Sequence, residues 1–143
     1  MKTGVAVGHR IKARKAQSVP APRIDTDEAL LSSFLSDAAH VPGGFAAGIA
    51  FPRSEAEVAS LVAQATKVLP IGAQSSLTGG ATPFGDLVLA TNRLTSIDAH
   101  GDRVIAGAGV SLQTLQDELA KTGSWLPPVP TYLGAFAGGA VAT

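Results

Sequence analysis

The segment Pro70-Ile71-Gly72-Ala73-Gln74-Ser75-Ser76-Leu77-Thr78-Gly79-Gly80 constrains this chain more than any other. It follows the apolar pair Val68-Leu69 and carries no charged side chain. Glycines and short hydroxyl side chains let a backbone bend sharply, so successive N–H groups turn toward one point. A point ringed by N–H donors suits phosphate oxygens. Read alone, the segment is either a phosphate cradle or a plain surface loop, since Gly, Ser and Thr also dominate ordinary loops. Spacing excludes the commoner motifs. No lysine stands beside a second glycine as a Walker A loop requires. Gly107-Ala108-Gly109 begins a G-x-G-x-x-G pattern, but Leu112 occupies the place of its third glycine. No G-x-S-x-G elbow occurs.

A second segment shifts the balance toward the cradle. Pro127-Pro128-Val129-Pro130 is a stiff, extended entry, and Thr131 to Phe136 lead into Gly138-Gly139 and a small-residue run. Between the two segments lies Ile105-Ala106-Gly107-Ala108-Gly109-Val110, followed by a helix signal. The order P-x-G-x-x-S-S-L-x-G-G, then A-G-V-S-L-x-x-L-x-x-x-L, then P-P-x-P-x-x-x-G-A-F-x-G-G resembles the FAD-binding domain of the vanillyl-alcohol oxidase and p-cresol methylhydroxylase superfamily. The nearest branch in wording is the FAD-linked oxidases and dehydrogenases of 2-hydroxy acids, of the glycolate oxidase and D-lactate dehydrogenase kind. The resemblance covers roughly Phe51 to Thr143.

That resemblance implies FAD as cofactor, its pyrophosphate held by backbone N–H groups of the first loop. The matching positions are Pro70, Ile71, Gly72, Ala73, Gln74, Ser75 and Ser76. Pro130, Thr131, Tyr132, Leu133, Gly134, Ala135 and Phe136 match a second FAD-contacting strand and turn, and Thr143 a later contact. The usual loop reads closer to G-G-G-T-S. Ala73 and Gln74 stand here in place of two glycines, and Gln74 accepts positive φ less readily than glycine would. Some relatives attach flavin through a histidine in this loop. Gln74, Ser75 and Ser76 occupy that region, so the implied attachment is non-covalent.

Local signals predict an α+β chain, consistent with the N-terminal portion of a p-cresol methylhydroxylase-type FAD-binding domain. A helix is predicted over Asp27 to Ala38, with Leu30, Leu31, Phe34, Leu35 and Ala38 on one face. A turn at Pro42-Gly43-Gly44 and a strand at Gly48 to Phe51 follow. Ser54-Glu55-Ala56-Glu57 is a capping box opening a helix whose apolar face is Val58, Leu61, Val62 and Ala65. Leu69-Pro70-Ile71 is a strand delivering the loop, and Leu87 to Ala90 a buried strand before a turn at Asn92-Arg93. Ser96 to Ala99 and Arg103 to Ala106 form a hairpin turning at His100-Gly101-Asp102. Ser111 caps a helix through Lys121, with Leu112, Leu115 and Leu119 inward and Gly123 as the stop. Gly138-Gly139 would open a final helix.

With 45% hydrophobic and 15% charged residues and zero net charge, the chain suits one modest core and no nucleic-acid partner. Absence of cysteine excludes disulfides, thiolate catalysis and cysteine-ligated metals. No apolar stretch approaches the roughly 20 residues of a membrane span. Charge is uneven: Lys2, Arg10, Lys12, Arg14, Lys15 and Arg23 precede the first acid, Asp25. Such a terminus suits a targeting segment, a membrane-surface anchor or a tail. It lacks a secretory apolar core, and Val19-Pro20-Ala21-Pro22 reads as a linker. We expect a basic tail and linker over 1–23, an incomplete FAD-binding domain over 24–143, and a cytoplasmic location.

Hydride transfer from a hydroxy acid needs a base near the hydroxyl. His9 lies in the basic segment, His100 in a predicted turn, and His40 at a predicted helix end where it favours the C-terminal dipole. None is assigned catalysis, and no metal-ligand spacing occurs. Ser75, Ser76 and Thr78 are turn formers or phosphate contacts. Trp125 is expected to anchor a core or an interface, Asp98 and Asp102 to sit at the hairpin turn. The expected parent reaction is oxidation of a 2-hydroxy acid by flavin, with the isolated chain inactive. Three alternatives stand beside it: a catalytically silent flavin-binding protein, a flavin subunit completed by a partner polypeptide that supplies the substrate domain, and a phosphate-binding module unrelated to flavin.

Overall fold

Three apolar runs form a parallel sheet. A computed structural model describes residues 19–101, 103–127 and 130–142. The strands are β1 (Phe45–Ala50), β2 (Val68–Ile71) and β3 (Phe84–Ala90), ordered β1-β3-β2 with β3 central. Ile49 pairs with Val88 and Ile71 with Ala90. Both faces of a parallel sheet need cover, so its strands read as continuous apolar runs. Ile49, Ile71, Val88 and Ala90 face Leu30, Leu31 and Phe34 on one side. Ala50, Leu87 and Leu89 pack with Leu61, Val58 and Ala65 on the other. Pro70, which has no N–H to donate, fits because β2 is an edge strand.

Helix α2 (Glu55–Gln64) supplies Val58 and Leu61 to the second layer. Ser54 caps it, its Oγ accepting from the Glu57 amide at 3.2 Å. The Glu57 carboxylate accepts from the amide of Arg53 at 2.7 Å, one residue before the usual capping-box partner. Val62, expected on the apolar face, is half-exposed at 51%. The Ser60 hydroxyl donates to the carbonyl of Val19, which ties the start of the described chain to this helix.

Helix α1 is shorter than its periodicity suggests. It spans Glu28–Ser32, not Asp27 to Ala38. Asp27 caps it through a 2.8 Å bond from the Leu30 amide. At its end the Ser33 and Phe34 amides bond back three residues, to Leu30 O and Leu31 O, and the Ser32 hydroxyl takes Ala29 O, so the last turn tightens and stops. Side-chain donors that capture carbonyls compete with helix continuation. His40 therefore sits at no helix end. It occupies an exposed turn with φ 52°, its amide donating to the Asp37 carbonyl.

After a 3-10 turn at Thr91–Arg93 the chain forms the antiparallel hairpin β4 (Ile97–His100) and β5 (Arg103–Ala106). Gly101 turns it with φ 59°. Asp98 lies in β4, not in the turn, and accepts from His100 Nε2 at 2.7 Å; Asp102 is outside the described residues. Helix α3 (Leu112–Ala120) begins at Ser111, whose Oγ accepts from the Thr114 amide. Val110, Leu115 and Leu119 pack against Ile97, Val104 and Ala106 of the hairpin. The helix stops where Gly123 reaches φ 71° and the Ser124 amide bonds back to Leu119. The last helix, α4 (Ala137–Ala142), already contains Gly138-Gly139 in its first turn. The basic residues Lys2 to Lys15, His9 and Thr143 lie outside the described residues. Among the described residues no helix is long and apolar enough to cross a membrane.

Candidate functional site

The loop from Gly72 to Gly80 leaves the C-terminal end of β2, the edge at which open parallel sheets bind ligands. Among the described residues, the amides of Gly72, Ala73, Gln74, Ser75, Ser76 and Leu77 donate to no protein acceptor. Gln74 alone in this stretch takes positive φ, at 54°. One left-handed residue among right-handed neighbours turns successive N–H groups to make an anion-binding concavity. Gln74 adopts this conformation although glycine would take it more readily, and its side chain makes bonds that a glycine could not. Nε2 of Gln74 donates to Ser33 O at 3.1 Å and Ser36 O at 2.7 Å, and the Gln74 carbonyl accepts from the Ala38 amide at 3.0 Å.

The far end of the loop is held by Asp37, which is 3% exposed. Its carboxylate accepts from the Ala39 amide at 3.0 Å and from the Ala81 amide at 3.1 Å. Sequence reasoning missed Asp37, whose local context is only Ser-Asp-Ala; the signal is a bond across 44 positions. Ser76 and Thr78 bond each other through their hydroxyls at 3.1 Å, a turn-forming role. The Ser75 side chain is exposed and has no partner among the described residues. Leu77 stands out from the tip at 81% exposure.

The second segment, expected as a strand and turn, comes to the first as a turn without the strand. Residues 130–136 form bends and turns, with one bridge from Phe136 to Ser111. The Leu112 and Gln113 amides, orphan donors at the start of α3, bond Ala135 O and Leu133 O. Ala137 and Gly138 amides bond Val110 O and Ala108 O. This stitching sets Phe136 against Gly72, where a Cβ would lie 3.5 Å from the ring. Gly138 meets the chain's own Ala108, not an outside group. Pro130, Thr131 and Tyr132 are exposed. Trp125 is 72% exposed, so it is no core anchor; its indole finds no partner layer among the described residues.

Thr91 ties the two sheets' junction to the loop, its buried hydroxyl donating to Ile71 O at 3.1 Å. Beside it, at the ends of β1 and β3, a cleft of about 480 Å³ is lined by Phe51, Arg53, Glu57 and Arg93. The Arg93 guanidinium lies 5.0 Å from the Phe51 ring centre. Among the described residues no cluster of three or more His, Cys, Asp or Glu could hold a metal ion.

Gly72 itself has ordinary backbone geometry, since the positive φ falls on Gln74. Alanine at Gly72 would rest at van der Waals distance from Phe136. Gly72→Ala is therefore expected to change stability by less than about 1 kcal/mol, which a denaturant titration measures. A larger loss would mean that the Phe136 contact is tighter than this geometry shows.

The model of the FAD binding domain family matches residues 46–143. The chain belongs to that family. It is of the vanillyl-alcohol oxidase and p-cresol methylhydroxylase type. It is 34% identical over 99 residues to a D-lactate dehydrogenase of Archaeoglobus fulgidus, a match covering 64% of this chain and 22% of that protein. A mutant cholesterol oxidase from Brevibacterium sterolicum superposes with a TM-score of 0.58 at 25% identity, covering 66% of this chain and 20% of that one. An alkyldihydroxyacetonephosphate synthase superposes at 0.55 with 24% identity, covering 64% of this chain and 21% of its own. The chain spans about a fifth of the length of these relatives.

Proposed function

We propose that residues 24–143 bind FAD non-covalently, with the amides of Gly72 to Leu77 as donors to the pyrophosphate. The observation that carries this reading is the run of amides without protein acceptors at the C-terminal end of β2. A buried or half-buried N–H left unpaired in a fold is rare, so a run of them implies a ligand or solvent partner. Pyrophosphate oxygens accept several such donors at once. Phe136 packs the second segment onto this loop and closes one side. No histidine stands in the loop to form a covalent flavin bond.

When bound, the flavin supplies hydride-accepting chemistry, and the protein supplies binding and orientation. We propose that the chain serves a flavin-dependent oxidoreductase acting on a 2-hydroxy acid. The likeness to the D-lactate dehydrogenase supports that substrate class. A second reading, in which a further polypeptide supplies the substrate-binding groups, is favoured by the exposed apolar side chains Ile105, Trp125, Tyr132 and Val141 on the hairpin and second segment.

The test is a titration of the purified chain with FAD and with FMN, followed by flavin fluorescence. FMN has one phosphate and cannot fill a pyrophosphate cradle. FAD is expected to bind at least about tenfold more tightly, the worth of one or two hydrogen bonds to a charged group. Equal affinities would count against the cradle.

A further inference from the structure

We propose that Gln74 is a positioning residue for the phosphate cradle: its side chain clasps the loop to the turn at residues 33–36 and so holds the free amides in place before any ligand arrives. The inference rests on the pyrophosphate reading above.

Gln74 is a non-glycine residue at φ 54° in a loop otherwise built of small residues. A side chain there is disfavoured by the contact of Cβ with the following backbone. Glycine would remove that strain. The glutamine does something glycine cannot. Both Nε2 hydrogens are used, on Ser33 O and Ser36 O, and the residue's own carbonyl accepts from Ala38. Three hydrogen bonds thus join one loop residue to one segment some 40 positions earlier.

Those bonds have two consequences. They tie the loop to the turn that follows α1, which ends at Ser32. They also fix the backbone between Gly72 and Ser76, where the amides have no internal partner to keep them ordered. A loop ordered in advance loses less entropy when it binds a ligand, and its donors need no reorganisation. Asp37 anchors the opposite end through the Ala81 amide, so the same 33–39 segment holds the loop at both ends.

The experiment uses the full chain with two substitutions. Gln74→Gly relieves the backbone strain but removes the clasp. Gln74→Glu keeps size and shape but aims acceptors at two carbonyl oxygens. Affinities for FAD and for ADP, which share the pyrophosphate, are measured by calorimetry. Amide hydrogen exchange is followed at Ala38, with the Leu115 amide inside α3 as reference. Gln74→Gly is expected to weaken FAD and ADP by the same factor, about tenfold. Gln74→Glu should weaken both further, and both variants should lose protection at Ala38 and keep it at Leu115. Because the carboxylate of Gln74→Glu also repels a diphosphate, the readout that separates a clasp from mere filling of space is protection at Ala38, which a space-filling residue would leave unchanged. Unaltered affinities beside a wild-type chain that binds FAD, or unaltered Ala38 protection, overturn the positioning role alone. A wild-type chain that binds neither FAD nor ADP overturns the pyrophosphate reading beneath it.

Discussion

Gly109→Ala is expected to destabilise the chain by at least about 3 kcal/mol, the upper range for overpacking a close-packed site. A Cβ on Gly109 would stand 1.9 Å from the Thr91 carbonyl oxygen and 2.8 Å from its carbon. Both obstacles are backbone atoms, so no rotamer change relieves the clash. Gly109 is also bonded through its amide to Leu94 O, which fixes how closely the two segments run. Thr91 in turn holds Ile71 at the mouth of the loop. Separating Gly109 from Thr91 therefore disturbs the start of the loop after β2 along with the core. The control is Gly139→Ala, inside α4, where an added Cβ meets nothing within 4 Å. Alanine there should stabilise the helix by about 0.5–1 kcal/mol. Chemical denaturation of the two variants should thus move in opposite directions. A Gly109→Ala chain with wild-type stability would show that the two segments do not touch as described.

The second large effect is expected at Asp37. Asp37→Ala removes two bonds to backbone amides from a buried site and leaves the Ala39 and Ala81 donors without acceptors. Hydrogen bonds to charged groups contribute about 1.5–3 kcal/mol each, so a loss of about 3 kcal/mol is expected. For a chain of this size that lowers the melting temperature by roughly 10 °C. Asp37→Asn keeps one acceptor oxygen but turns a donor toward the other amide, and should lie between wild type and Asp37→Ala. The loop end at Ala81 is released in both variants, so FAD affinity should fall in the same order. Equal melting curves for all three proteins would show that these bonds add nothing to the folded state.

The two substitutions probe different kinds of constraint. Gly109 is a matter of space: two backbones approach so closely that no side chain fits between them. Asp37 is a matter of valence: buried amides need acceptors, and a single carboxylate serves two of them. Gln74 combines both, since an unfavourable backbone conformation coexists with side-chain bonds that stabilise it. Gly109, through Thr91, and Asp37 act on the loop between β2 and β3 from outside it, and Gln74 ties it to the 33–38 segment from within. The loop's free amides are local, but the bonds that tie the loop down come from residues distant in sequence.

Elements whose signals are local could be read from the chain alone. Ser54 with Glu57 opens α2, and Ser111 opens α3, because a hydroxyl three residues before an amide reaches it whatever the rest of the fold does. Leu112, Leu115 and Leu119 are buried as their spacing demands. Gly101 and Gly123 take positive φ at the turn and helix stop where glycine was expected to act. The small-residue loop after Val68-Leu69-Pro70-Ile71, and its kinship with FAD-binding domains, were visible for the same reason: short segments of fixed geometry leave short, recognisable strings.

What the string of residues left open was decided by contacts between distant segments. Periodicity carried α1 to Ala38, but it ends at Ser32, where the Ser33 and Phe34 amides bond back three residues and the Ser32 hydroxyl takes Ala29 O. The parallel order β1-β3-β2 depends on which strand is central, and apolar runs of similar composition do not encode that. Pro130 to Phe136 were expected as a strand and turn; the turn is there, closed by Ala135 on Tyr132 O, and bonds from Leu112 and Gln113 lay it along α3's start in place of a strand. Asp37 and Thr91 carried no local mark because their partners, Ala81 and Ile71, lie 44 and 20 positions away. A hydrogen bond or a backbone approach of that range has no signature in the residues beside it, so only the packed chain assigns which polar groups hold the loop.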